Sequence, residues 1–418
     1  MTEPEHGRRD GYGIEALNVW CGLASITVPE LFRGRGLDPA RIDNLMMTRR
    51  SIGLPFEDPV TNAVNAARPI VDALAPEERA RIEILVTSTE SGVDYSKSVS
   101  SYVHEYLGLS RNCRMIEVKQ ACFGATAAVQ TAVGYLASGI SPGAKALIIA
   151  TDVAVVDERA EYSEPAAGHG AAAVLLSDTP RVMAMDLGAF GNYSYETLDS
   201  ARPSPRFDIA DVDRSLFAYL DCLSNSYADY AGRVEGADLA TTFDHLVMHT
   251  PFAGLVKAAH RKLMRDAGGP AADLQDDFAR RVAPSLRYPA LVGNLCSGSV
   301  YLALAALLDS GAVTAPGRVG IFSYGSGCSS EFFSGVVDAE SAATVSAMNI
   351  AAHLENRAQI TFAEYTDLLE ENLKCLVPVQ DRTVGSGPWD AIAQRAGGRK
   401  EMLTFTGVRN WHRQYEWR

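Results

Sequence analysis

The sequence lacks a CxxC pair, an apolar run approaching the roughly 20 residues that span a bilayer, and an apolar leader. Each absence removes a class of protein. The seven cysteines, Cys21, Cys113, Cys122, Cys222, Cys296, Cys328 and Cys375, are scattered and odd in number. That argues against a disulfide framework and against a zinc site set by sequence spacing. The start, MTEPEHGRRDGYG, is polar and carries acids, so the expectation is a cytoplasmic protein with no membrane part. Positive charge is also short: 38 Lys and Arg stand against 51 Asp and Glu, a net charge of −13. A general nucleic-acid binder needs a basic footprint, and that class is set aside. A local basic patch for an acidic partner is still compatible with this balance. What is present is ordinary for a globular chain, 47% hydrophobic and 21% charged, and 418 residues exceed one simple core.

Strand-like and helix-like runs alternate, which predicts an α/β protein. Strands are expected over 82–86, 115–118, 146–150, 172–176, 245–248 and 319–323. Helices are expected over 59–74, 95–107, 122–137, 215–231, 252–265 and 297–308. Two stretches echo each other: YLASGISPGAKALIIATD (135–152) and LLDSGAVTAPGRVGIFSYGS (307–326). In each a helix ends at Ser-Gly, a loop passes Pro-Gly, and an apolar strand follows. The helices before them open on small residues, CFGATAAV and CSGSVYLA, and IEILVTSTES pairs with DHLVMHTPF. A repeat of half the chain predicts a duplicated α/β unit, with halves 1–180 and 181–418. Ligands bind outside the carboxyl ends of such strands, which puts Glu90, Cys122, His249 and the loop after Tyr324 at one cleft.

Cys122 stands where a strand turns into a helix. A thiol at a first helical turn meets unpaired N–H groups and the positive end of the dipole. The expectation is a pKa below the free value of ~8.5 and an enriched thiolate. Ala121, Gly124, Ala125 and Ala127 leave room for a substrate, and the same N–H groups suit an oxyanion. A buried structural cysteine is the plain alternative. Glu90, in LVTSTESGVDYSKS, directly follows a strand and suits a general base; an ordinary loop carboxylate is its alternative. His249 ends the strand that Pro251 stops, and could equally be a satisfied core histidine. The loop FSYGSGCSSEFFSG (322–335) matches neither GxGxxG nor GxxxxGK[ST], so a tight turn aiming an N–H at the cleft is expected. Lys257, His260, Arg261, Lys262 and Arg265 share one helix. They form either a solvated face or a dock for a phosphopantetheine phosphate or acidic carrier protein.

TESGVDYSKS, EVKQACFGATAA, HTPFAGLVKAAH, GNLCSGSVYLAL and FSYGSGCSSEFFSG occur in that order. Together they resemble the 3-hydroxy-3-methylglutaryl-CoA (HMG-CoA) synthase family of the thiolase superfamily, from about Tyr12 to the end. The resemblance implies a duplicated thiolase fold in five layers and a homodimer. It implies Cys122 as the nucleophile that takes an acetyl group from a thioester, and Glu90 as the group that deprotonates the acetyl methyl and later acts as an acid. His249 would polarise the acceptor thioester. Amides at Cys122 and in the Gly325-Ser326 turn would form oxyanion sites, and Asn294 and Pro251 would help position the acceptor. No metal or other cofactor is implied.

The segment 200–233 and the ending WHRQYEW (411–417) are similar to the β-branching synthases of bacterial polyketide assembly lines. Those enzymes take acetyl from a donor acyl carrier protein and add it to the β-ketone of a polyketide on an acceptor carrier. Lys257, Arg261 and Lys262 would then dock a carrier. CoA-using members carry an aromatic residue near the position of Val155-Val156, so the acetyl pocket or donor tunnel differs here. The alternatives are a primary-metabolism synthase using acetyl-CoA and acetoacetyl-CoA, and a thiolase-fold scaffold without activity. A scaffold loses the nucleophile, whereas Cys122, Glu90 and His249 are all present. A ketoacyl synthase III would want Cys-His-Asn in place of the glutamate.

Overall fold

The computed structural model describes residues 11–154, 163–268, 274–385, 387–397 and 401–418. Its centre is a nine-stranded sheet. In chain order the strands are β1 Gly13–Trp20, β2 Ile82–Ser88, β3 Arg114–Val118, β4 Lys145–Asp152, β5 Gly170–Ser177, β6 Met183–Ser194, β7 His245–Met248, β8 Gly317–Gly325 and β9 Ser329–Val337. The helices that matter most are α1 Pro59–Asp72, α2 Val99–Tyr106, α3 Gly124–Ala137, α4 Val212–Arg233, α5 Ala253–Asp266 and α6 Ser299–Leu308.

The strand order is β3-β2-β4-β5-β1-β6-β9-β8-β7, and its two sides match. On one side β1 is antiparallel to β5, β5 antiparallel to β4, and β4 parallel to β2. On the other β6 is antiparallel to β9, β9 antiparallel to β8, and β8 parallel to β7. A short pairing of Gly13 and Ile14 with Ala184 and Met183 joins them. The sequence echo falls on equivalent elements: α3 leads to β4 as α6 leads to β8, and β2 corresponds to β7.

Side chains alternate across each strand, and here both faces are buried, which is why β4 and β5 read as continuous apolar runs. Ala146, Ile148 and Ala150 face a central core shared with α3 and α6. Leu147 and Ile149 face an outer core with α1 and α2. In the second half Val319 and Ile321 face the same centre, while Phe322 and Tyr324 face a third core with α4 and α5. The two sides of the sheet thus form separate layers around α3 and α6, giving five layers, helix–sheet–helix–sheet–helix. Every residue of α6, SVYLALAALL, is buried, as a helix apolar all round its surface must be.

Two expectations need correction. The helix expected from Cys122 starts at Gly124, and Cys122 lies in the turn before it. Strands β1, β6 and β9, and a C-terminal hairpin of Leu403–Arg409 with His412–Trp417, were not foreseen. Val155 and Val156 lie outside the described residues. Among the described residues no helix is long and apolar enough to cross a membrane.

Candidate active site

The carboxyl ends of the matched strands meet in space. Ser88, the last residue of β2, hydrogen-bonds Ser297 at the entry to α6 across 3.0 Å. Glu90 follows two residues on. Its N–H donates to Asp152 Oδ1 at 2.8 Å, and Ser91 Oγ donates to the same oxygen at 2.9 Å. Asp152 ends β4, the neighbour of β2. Arg202, on a ribbon of Ser200–Ser204 and Phe207–Ala210, closes this frame. Its Nη1 donates to the Glu90 carbonyl (3.2 Å) and to Ser91 Oγ (2.9 Å), while Nε and Nη2 hold Asp208 at 2.6 and 2.9 Å.

Cys122 Sγ donates to Glu90 Oε1 at 3.1 Å. The preceding residue, Ala121, has φ 43°, a left-handed conformation that a residue with a Cβ adopts only when its surroundings enforce it. Cys296 has φ 48° and completes the cluster, with sulfur and oxygen ligand atoms of Glu90, Cys122 and Cys296 all within 4.8 Å of one another. The Cys296 turn is pinned by Asn294, whose Oδ1 accepts from Cys296 N (3.0 Å) and Ser299 Oγ (2.7 Å).

The expected thiolate is not what these surroundings favour. The hydrogen bond with Cys296 lowers the Cys122 pKa, but burial and the Glu90 carboxylate outweigh it and push the thiol up to about 12. Cys122 is half-buried as a residue, yet burial of its sulfur and a nearby carboxylate both oppose a second negative charge. Cys122 lies just before α3 rather than in its first turn, and the carboxylate 3.1 Å from its sulfur opposes what the dipole offers. Burial and the Glu90 charge, against the attraction of Arg202, push the Asp152 carboxyl up to about 8. Its Oδ2 has no hydrogen-bond partner among the described residues.

His249 follows β7. Its N–H donates to the Phe322 carbonyl at 2.8 Å and its carbonyl accepts from Tyr219 OH at 2.7 Å. The ring lies 6.4 Å, between centroids, from both Tyr219 and Tyr324. Nδ1 has no partner among the described residues, and burial lowers the pKa to about 3, so the imidazole is neutral. Asp199 ties the next loop together, accepting from Tyr324 OH (2.6 Å) and Gly327 N–H (2.9 Å). Gly325 sits against the Cys122 turn so closely that a Cβ there would lie 2.5 Å from Phe123 N and 2.6 Å from the Gln120 carbonyl oxygen.

Family models for the hydroxymethylglutaryl-coenzyme A synthase N terminal and C terminal match residues 71–180 and 271–382. The chain is 44% identical over 415 residues to the polyketide biosynthesis 3-hydroxy-3-methylglutaryl-ACP synthase PksG of Bacillus subtilis (strain 168), covering 97% of this chain and 99% of that protein. The chain belongs to the hydroxymethylglutaryl-CoA synthase family. The crystal structure of the curacin biosynthetic pathway HMG synthase in complex with apo donor-ACP superposes with TM-score 0.94 at 45% identity, covering 97% of this chain and all of that one. MvaS in complex with 3-hydroxy-3-methylglutaryl coenzyme A gives 0.85 at 31% identity, covering 98% and 99%. The fold of this HMG synthase family member is thiolase-like.

Cys122 and Glu90 are thus in contact, and His249 is joined to the Gly325-Ser326 loop through Tyr324. Ser326 and Pro251 are half-buried beside it. On α5 the expected basic face is uneven. Arg261 is exposed, Lys257 lies over the Phe278 ring at 5.7 Å, and Lys262 binds Ser224 Oγ at 2.8 Å and the Asp266 carboxylate. His260 is buried on Asp277. Sequence reasoning passed over Cys296, Asp152, Asp199 and Arg202. The repeat held a signal for one of them: Cys296 opens CSGSVYLA as Cys122 opens CFGATAAV.

Proposed function

We propose that the chain is a carrier-protein-dependent HMG-type synthase of polyketide β-branching. It adds an acetyl group from a donor acyl carrier protein to the β-ketone of a polyketide on an acceptor carrier. The 3.1 Å hydrogen bond from Cys122 Sγ to Glu90 Oε1 carries the chemistry. The 44–45% identity to PksG and the curacin synthase, against 31% to MvaS, supports the carrier-dependent branch.

A thiol held near pKa 12 must lose its proton as it attacks, and Glu90 is its hydrogen-bond partner. Sγ attacks the acetyl carbonyl while the proton passes to Glu90. The carrier thiol then leaves with that proton, giving acetyl-S-Cys122 and a Glu90 carboxylate. Glu90 next removes a methyl proton, and N–H groups at Cys122 and in the Gly325-Ser326 turn stabilise the enolate oxygen. The enolate carbon attacks the β-ketone carbon, and Glu90 returns its proton to the new alkoxide. Water then hydrolyses the Cys122 thioester, leaving a carboxylate on the product and a free thiol on the enzyme. His249, as a neutral imidazole, donates an N–H to the acceptor thioester carbonyl. The Asn294 oxygen is taken up by the Cys296 turn, so Asn294 meets the acceptor through its NH2, beside Pro251. No cofactor takes part.

The residues divide into the halves 1–180, with Glu90 and Cys122, and 181–418, with His249. A second copy pairs at the edge strand β3, where Met115 and Ile116 are 43% and 48% exposed. The enzyme works in the cytoplasm, and Lys257, Arg261 and Lys262 contribute to carrier docking.

Intact mass after mixing with acetyl-carrier protein or acetyl-CoA tests the reading, with Cys122→Ser as control. Fast acetylation from the carrier, slow from CoA and none in the variant is expected. Fast acetylation from CoA would instead favour the primary-metabolism reading, and none from either donor the scaffold.

A further inference from the structure

Glu90, Cys122 and Cys296 bring one carboxylate oxygen and two sulfurs within 4.8 Å of one another. The three come from separate segments, and each is fixed independently. Glu90 is held by Asp152 and Arg202. Cys122 follows the left-handed Ala121, and Cys296 is itself left-handed and pinned by Asn294. A triangle of donors that needs little rearrangement is what a metal ion requires of a protein.

The donor set is selective. Magnesium and calcium take oxygen ligands, whereas two thiolates suit zinc and similar soft cations. Zinc bonds sulfur at about 2.3 Å and carboxylate oxygen at about 2.1 Å, so three corners of its tetrahedron are about 3.5 to 3.8 Å apart. The Cys122–Glu90 separation of 3.1 Å and the 4.8 Å limit on the whole cluster bracket those edges.

We propose that Glu90, Cys122 and Cys296 form an inhibitory zinc site, with the fourth position open to water or to the thiol of a carrier. The ion is a regulator and not a participant in the reaction. It occupies the sulfur that accepts acetyl and the carboxylate that accepts its proton, and removal by a chelator restores both. The inhibitory effect rests on Cys122 being the nucleophile; the binding does not.

The test uses the full chain, free of any affinity tag, in thiol-free buffer. Cobalt(II) chloride is titrated first, followed by competition with zinc chloride. One equivalent of cobalt with sulfur-to-cobalt charge-transfer absorption in the near ultraviolet is expected. Cys296→Ser and Cys122→Ala should each reduce that absorption and weaken zinc binding by more than the roughly 10- to 100-fold that losing an outer-shell partner already costs. Each variant's melting curve verifies that it is folded. Wild-type protein without sulfur absorption, or Cys296→Ser with wild-type spectrum and affinity, overturns the site. Acetylation from the donor carrier, read by intact mass with and without zinc, is the second arm. Acetylation that saturating zinc does not slow overturns the inhibition. Sulfur absorption in a protein that no donor acetylates leaves the zinc site standing and removes the proposed catalytic role.

Discussion

Gly325→Ala is a single methyl group placed between the nucleophile turn and the loop after β8. The new Cβ would lie 2.5 Å from Phe123 N and 2.7 Å from Phe123 Cβ, where ordinary contact begins at 3.4 Å. The shortfall is about 0.9 Å, and the atoms in the way include backbone, which cannot rotate aside. The Cys122 turn and the loop must therefore separate by nearly that distance. A misplacement of about 1 Å can cost ~100-fold in rate, or about 2.7 kcal/mol of barrier. Overpacking also costs about 1–3 kcal/mol of stability. The assay is the rate of Cys122 acetylation from the donor carrier, followed by intact mass, beside a melting curve. The expected result is an acetylation rate down about 100-fold in a protein that still melts cooperatively. Acetylation at the wild-type rate in a folded variant would show that the close approach of Gly325 does not set the geometry of the oxyanion site.

The Cys122 thiol, pushed up to about 12, should show an iodoacetamide alkylation rate that keeps rising about tenfold per pH unit from 7 to 10; a plateau below pH 9, read by peptide mass, contradicts the assigned surroundings. His249, lowered by burial to about 3, stays neutral at every pH above that, so the pH profile for use of the acceptor should have no limb near 6.5. His249→Ala should raise the acceptor KM at least ~10-fold through loss of a buried hydrogen bond, while acetylation from the donor falls far less; equal losses in both steps would remove the acceptor role. Replacing Lys257, Arg261 and Lys262 together by Ala should weaken turnover with carrier-bound acetyl and flatten its salt dependence; unchanged kinetics in low and high salt would exclude this helix as the dock.

Glu90 and His249 could be placed because each lies just beyond a buried strand, and Cys122 because it lies in the short turn between β3 and α3. A strand end fixes position along the sheet, so alternation and length alone place the next residue at the cleft. The duplication was legible through the echo of helix, Pro-Gly loop and strand, but the order β1-β5-β4-β2 and β6-β9-β8-β7 was not, because β1, β6 and β9 gave no such signal. What was not legible depends on contacts across the chain. β9, SSEFFSGVV, lies in a serine- and glycine-rich stretch that reads as loop until β6 and β8 pair with it. Arg202 belongs to an otherwise exposed ribbon, and only the fold brings it to Glu90. The protonated state of Cys122 was misread because the dipole was counted and the carboxylate 3.1 Å away could not be.

The duplication accounts for why two cysteines from equivalent turns meet beside Glu90. Cys122 precedes α3 and Cys296 precedes α6, each in a turn with a left-handed residue, Ala121 in one and Cys296 in the other. The strands whose ends face these turns have diverged: β2 leads to Glu90 and β7 to His249. The first half therefore holds a thiol hydrogen-bonded to a carboxylate, which is what the proposed formation and deprotonation of an acetyl thioester demand. The second half holds a neutral donor at the corresponding strand end, which can bind a thioester carbonyl without competing for the methyl proton. The hydrogen bond of Cys296 with Cys122, together with burial, keeps its thiol well above the ordinary range. On the proposed mechanism it stays a thiol beside the nucleophile that Glu90 deprotonates. On the proposed mechanism, two halves of one architecture divide donor and acceptor chemistry between equivalent strand ends.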